Sequence, residues 1–228
     1  MSELLFITFI ILTMLIIYIL TKTLNKQGLV FTLIILNIAS FITNFKIGEI
    51  FKLNINIGII SFVATISTIY IYIIKFGIKE IKKIALMCFF VNIIVAILLV
   101  IMNYIIPAIT ETISISVQSV FESNYKILII YPLMMLLSQY IITKLFTFVS
   151  TIQSNIIINI ILTYIITGLI YVIIYYILCY IKVLSIYNSL YIGLSTYIVG
   201  LIVTLINSIF INYFVKSKKV LKWLMLFW

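Results

Sequence analysis

The chain has 228 residues, of which 65% are hydrophobic and 9% charged, with a mean hydropathy of +1.37 and a net charge of +10. A soluble domain of this length cannot hide so much apolar surface and still present a polar exterior, whereas a bilayer removes that conflict. The charge does not point to nucleic acid. All fifteen cations are Lys, with Arg, Asp and His absent, and they lie between long apolar runs, as in loops against anionic headgroups.

The expected fold class is all-α: a polytopic integral membrane protein of six to seven transmembrane helices, forming one membrane domain over 1–228. A spanning helix needs about 20 mostly apolar residues. In chain order the runs that qualify are 4–21, 28–45, 54–74, 84–106, 127–149, 155–181 and 190–214, followed by a basic tail, 215–228. Their β-branched content would favour strands in water. In lipid a helix satisfies its own backbone, and the runs lack the strict alternation of barrel strands. The first run carries Glu3 as its sole early charge, has no basic region before it and no small-x-small site after it, and is not expected to be a cleaved leader.

The connectors are short except for 107–126, which opens with Pro107 and holds Glu111, Gln118, Glu122 and Asn124; an interfacial helix or a re-entrant piece is expected there. A C-terminus placed inside puts ten Lys in inner segments, among them Lys22, Lys26, Lys75, Lys79, Lys82 and Lys83. It leaves Lys46, Lys52, Lys126 and Lys182 outside. The expected orientation in the cell membrane is therefore N-terminus outside, C-terminus cytoplasmic. Lys144 snorkels near an inner end, and Trp223, Phe227 and Trp228 form an inner aromatic anchor. Cys88 and Cys179 fall near opposite faces, so no disulfide is expected. Without a Cys/His cluster, no zinc, haem or iron–sulfur cofactor is expected.

With few charges in the spans, neutral polar residues carry the information. Asn155, Asn159, Thr163 and Thr167 recur every four residues along the sixth run. Thr196, Gly200, Thr204, Asn207, Ser208 and Asn212 make a stripe along the seventh. Asn37, Ser40 and Asn44 share a face of the second, and the fifth carries Ser138, Gln139 and Thr143. Such stripes face the bundle interior, since an amide against lipid costs free energy. Packing explains Ser and Thr well, because both bond their own helix carbonyls. An amide needs several partners and marks a lining position more strongly. The candidate substrate-binding set is Asn37, Ser138, Gln139, Asn159, Thr163, Thr167, Thr196, Thr204, Asn207 and Ser208. No base, nucleophile pair, paired carboxylates or P-loop is present, so enzymatic activity is not expected.

Several stretches resemble one family. Lys75-Phe76-Gly77-Ile78-Lys79-Glu80-Ile81-Lys82-Lys83 followed by Phe89-Phe90 is similar to a "YGKKEA…GFF" pattern. Gly58 falls on the Gly of "TLGN", Leu137-Ser138-Gln139 resembles "ISQ", Ser195-Thr196-Tyr197 resembles "TTY", and Asn207-Ser208-Ile209-Phe210 resembles "DTPF". These are patterns of the queuosine precursor transporters, the vitamin uptake transporter family, and the resemblance covers nearly the whole chain. It implies uptake of a deazapurine such as a queuine precursor, a small-molecule partner within the lipid bilayer. The family's "TD-x-x-SE" is replaced by Ile69-Tyr70-Ile71-Tyr72-Ile73-Ile74, the Asp after "ISQ" by Ile142, the Asp of "QLID" by Thr167, and the Asp of "DTPF" by Asn207. The resemblance further implies that Asn207 and Gln139 meet the base as amides; for Tyr70, Tyr164 and Tyr197 the two readings are stacking on the base and, ahead of it, aromatic packing. The alternatives are a substrate-binding component working with separate ATPase partner subunits, and a non-transporting scaffold.

Overall fold

The structure is a computed structural model and describes residues 2–104, 112–180 and 184–216. The order of elements is α1 (Ser2–Thr43), β1 (Ile47–Ile50), β2 (Leu53–Asn56), α2 (Ile59–Phe76), α3 (Ile81–Tyr104), α4 (Thr112–Ile152), α5 (Ile156–Tyr180) and α6 (Ile186–Lys216). Among the described residues, six helices are long and apolar enough to cross a membrane. The protein is an all-α polytopic membrane protein, with one small β-hairpin added.

α1 is a helical hairpin rather than a rod. Asn25 breaks it with φ 50 and ψ −119, the backbone of the second residue in a II′ turn, which Asn tolerates better than most side chains. A Cβ on Gly28 would collide with the Leu20 carbonyl. In a continuous helix those residues would stand about 12 Å apart, so the chain reverses, and only Gly lets the two arms approach so closely. Phe6, Ile10, Thr13, Ile17 and Thr21, three or four apart, are buried along the first arm. The arms 2–24 and 26–43 contain the apolar runs 4–21 and 28–43.

Two further boundaries differ from expectation. The run at 54–74 does not begin as helix. Leu53–Asn56 pairs antiparallel with Ile47–Ile50, Gly48 opposite Ile55, and helix starts only at Ile59. The connector 107–126 is already helical from Thr112, in one continuous α4. Residues 107–111, the side chains of Gln118, Glu122 and Asn124, Lys182, and the tail with Trp223, Phe227 and Trp228 lie outside the described residues.

One end of the bundle is tied by charge. Lys26 Nζ, just past the α1 turn, meets both oxygens of Glu80 at 2.8 and 2.7 Å, and the Tyr72 hydroxyl donates to the same carboxylate at 2.9 Å. The Lys26 hydrogen bond, then that of Tyr72, holds the Glu80 carboxyl below its usual value. Lys75 lies 4.0 Å above the Phe214 ring, and Tyr18 meets that ring edge-on at 5.7 Å. The α1 turn, the α2–α3 connection and the end of α6 therefore share this end, and the β-hairpin lies at the other.

α2 is the central helix: every residue from Ile59 to Tyr72 is buried. α3 carries the stretch of highest hydropathy among the six, yet only 28% of that stretch is buried, against 78% for that of α2. The soluble-protein rule is reversed because lipid is the solvent. α3, whose one buried polar side chain among the described residues is Asn92, turns most of its surface outward, and the helix bearing Ser61, Thr65, Ser67 and Thr68 is enclosed. Cys88 and Cys179 are both buried free thiols.

Candidate functional site

All ten candidate residues are buried, as their place on polar stripes requires. What their polar atoms do divides them. Six hydroxyls close onto their own helix. Thr163 donates to the Asn159 carbonyl, Thr167 to Thr163, Thr196 to Ile192 and Ser138 to Met134, each at 2.7 Å; Thr204 donates to Gly200 and Ser208 to Leu205, each at 2.8 Å. These groups need nothing further, and they let helices pack closely without an orphaned hydroxyl.

The amides behave differently. Asn207 Nδ2 donates to Ser67 Oγ across the α6–α2 contact at 3.0 Å, and its Oδ1 is buried with no partner. Asn37 Oδ1 accepts from Asn92 Nδ2 at 2.7 Å, leaving Asn37 Nδ2 and Asn92 Oδ1 unpaired. Asn37 and Asn92 lie eleven and twelve residues beyond the Lys26–Glu80 contact, which places them about 17 Å away, near the middle of a bilayer core of about 30 Å. Gln139 Nε2 and the Tyr70 hydroxyl are likewise buried and unpaired.

The structure does not gather the ten into one pocket. Asn159 Nδ2 donates to the Gln153 carbonyl at 2.8 Å, so it ties the α4–α5 turn at one end of the bundle. Thr196 belongs to the opposite end, where its Oγ1 accepts the Asn56 N–H at 3.0 Å. Deeper in the bundle, on facing helices, are Asn37 with Asn92 and Asn207 with Ser67; Gln139 lies nearer the charged end, beside the α3 turn that carries Lys82. Ser67 and Asn92 carry no distinguishing sequence signal beyond being polar in apolar runs.

At the hairpin end, Asn56 makes a closed knot. Its Nδ2 donates to the Asn44 carbonyl at 2.9 Å and its Oδ1 accepts the Gly58 N–H at 2.8 Å. Asn44 Nδ2 donates to the Ser40 carbonyl at 2.8 Å, and Ser40 Oγ to the Gly58 carbonyl at 3.2 Å. A Cβ on Gly58 would lie 2.5 Å from Asn44 Nδ2. The cavity beside the knot is about 10 Å³, no more than a single water occupies.

Below the knot runs an aromatic belt that sequence reasoning missed. Phe41 stacks on Tyr131 at 5.0 Å, Tyr131 meets Tyr175 edge-on at 6.3 Å, Tyr175 stacks on Tyr171 at 5.0 Å, and Tyr171 on Phe62 at 4.5 Å. Rings from α1, α4, α5 and α2 thus form one ladder. The Tyr175 hydroxyl is buried without a partner, and that of Tyr131 lies near Ser40 and Asn44 outside hydrogen-bond geometry. The four-residue spacing of Tyr171 and Tyr175 was the available signal. Of the tyrosines named from sequence, Tyr164 and Tyr197 stack on each other at 6.0 Å, and Tyr70 packs on Phe146 at 4.7 Å.

No family model, curated protein or solved structure matches the chain.

Proposed function

We propose that the chain is a membrane transporter for a small planar molecule bearing both hydrogen-bond donors and acceptors, of the queuosine-precursor kind. One observation carries the reading. Asn207 Oδ1, Gln139 Nε2, Asn37 Nδ2 and Asn92 Oδ1 are buried in the bundle interior without partners. Each such atom costs about 1–3 kcal/mol when left unsatisfied, and a scaffold of packed apolar helices has no use for them. A ligand edge offering donors beside a carbonyl acceptor would satisfy amide oxygens and amide nitrogens together. The belt through Tyr131, Tyr171 and Tyr175 offers faces on which a flat ring stacks.

Around Asn37, Asn92 and Asn207 the core is closed, while Gln139 borders a groove between α3 and α4. Entry therefore requires α6 to part from α2 at the Asn207–Ser67 contact, the kind of movement by which transporters expose a mid-membrane site to either side. The end carrying Lys26, Lys75, Lys79 and Lys82 is cytoplasmic in this reading, which places the C-terminus inside.

Thermal unfolding of the purified protein with a panel of deazapurines, purines and vitamins tests the proposal. A ligand at 100 times its dissociation constant adds about 2.7 kcal/mol, and Asn207→Leu combined with Gln139→Leu is expected to remove that gain. Folded wild-type protein that responds to no member of the panel would sink the reading.

A further inference from the structure

A groove of about 380 Å³ opens between the first turns of α3 and the middle of α4. Its walls are almost wholly apolar, and Leu86, Leu133 and Leu137 are 47%, 53% and 41% exposed. It therefore opens toward the lipid, with the buried Gln139 and Thr143 among its lining residues. Lys82 and Lys144 stand at its edge, each with its ammonium 5.9 Å from the centroid of the same ring, Tyr140. Among the described residues neither has a carboxylate partner. Two like charges held around one ring beside an apolar trough are an arrangement that lacks its counter-ion.

Position and sign identify the occupant. Lys82 follows Glu80 by two residues, at the charged end of the bundle, where headgroups lie. The trough beyond it has the chemistry of an acyl chain. The chain's own tail leaves the bundle at the same end but carries Lys218, Lys219 and Lys222, which the two groove lysines repel. We propose that this groove is a binding site for one anionic phospholipid. Its phosphate sits between Lys82 and Lys144, and one acyl chain lies along Leu86, Leu133 and Leu137.

Native mass spectrometry of the full chain, offered equal amounts of phosphatidylglycerol and phosphatidylcholine, tests this. Wild type is expected to retain one phosphatidylglycerol in preference to phosphatidylcholine. Lys82→Gln with Lys144→Gln should weaken that retention by roughly 30-fold, from about 1 kcal/mol per Lys near an anionic lipid. Both lysines are exposed, so the variant should fold. Leu137→Trp fills the trough with both charges kept and should also displace the lipid. Lys22→Gln with Lys79→Gln, at the same end but outside the groove, should leave retention unchanged. The proposal is overturned if the two lipids are held equally or if that control pair weakens retention as much as the groove pair. A wild-type dimer that Leu137→Trp abolishes would overturn it too, since the groove would then be an interface between copies.

Discussion

Two polar regions lie inside the same apolar bundle, and they treat hydrogen bonds in opposite ways. In the hairpin knot, Asn44 Nδ2, Ser40 Oγ and both side-chain polar atoms of Asn56 are all paired with backbone groups of Ser40, Asn44 and Gly58. Away from the hairpin, Asn37, Asn92, Gln139 and Asn207 each keep one buried atom unpaired. Composition does not distinguish these regions, since both are rich in amides. The difference is between a network that specifies structure, in which every member is satisfied, and one held incomplete. The first fixes where the chain turns; the second is stable only because the surrounding helices over-determine it.

The largest expected effect comes from breaking the knot. Asn56→Leu removes the partners of the Gly58 N–H and the Asn44 carbonyl at once and puts a branched side chain where Thr196 and Tyr176 close in. At about 1–3 kcal/mol per orphaned buried group, the loss should be about 3 kcal/mol, measured by thermal unfolding in detergent. Gly58→Ala should reach a similar loss by driving a Cβ into the Asn44 amide. Wild-type stability in both variants would mean that the knot does not hold the hairpin.

The amides away from the hairpin should respond with a much smaller change in stability. Asn207→Leu gives up one hydrogen bond to Ser67, but it also removes an oxygen that had no partner. The two terms have opposite signs and similar size, so unfolding should shift by no more than about 1 kcal/mol. A loss as large as that of Asn56→Leu would place Asn207 in the structural class and take it out of the ligand site.

How far the sequence disclosed these regions follows from what each signal measures. Hydropathy located the long apolar helices because bilayer thickness sets their length, and the break at Asn25 showed as the polar gap from Thr21 to Gln27. The β-hairpin stayed hidden. Its turn places Phe51 and Lys52 at φ 51 and 62, a conformation usually announced by Asn-Gly or Asp-Gly, and neither pair is present. Its second strand was absorbed into an apolar run. The polar stripes were legible as buried faces except at their ends, where Asn155 is exposed and Asn212 half-buried, but spacing alone does not say whether a Thr hydroxyl is spent on its own helix. Nor does it say that Asn159 serves a turn while Asn207 faces α2. Those assignments depend on which helix packs where, and in a chain so uniformly apolar the pattern leaves neighbours almost unspecified.

The smallest expected effect belongs to a third kind of polar contact, the Lys26–Glu80 pair at the charged end. Both partners are about half exposed, at 44% and 53%, so solvent screens them and the pair contributes little. Its signature is pH dependence. The hydrogen bonds from Lys26 and Tyr72 lower the Glu80 pKa from its usual 4.5, so the folded state binds fewer protons there than the unfolded chain does. The stabilisation is complete above that usual value and fades as pH falls through the lowered, folded-state one. Glu80→Gln removes the charge at every pH. The gap in unfolding temperature between wild type and Glu80→Gln should therefore be constant from well above 4.5 up to the lysine range, where Lys26 begins to lose its proton, and close in acid. A gap that stays open at low pH would show that Glu80 acts through its hydrogen-bond geometry, as the knot does, and not through its charge.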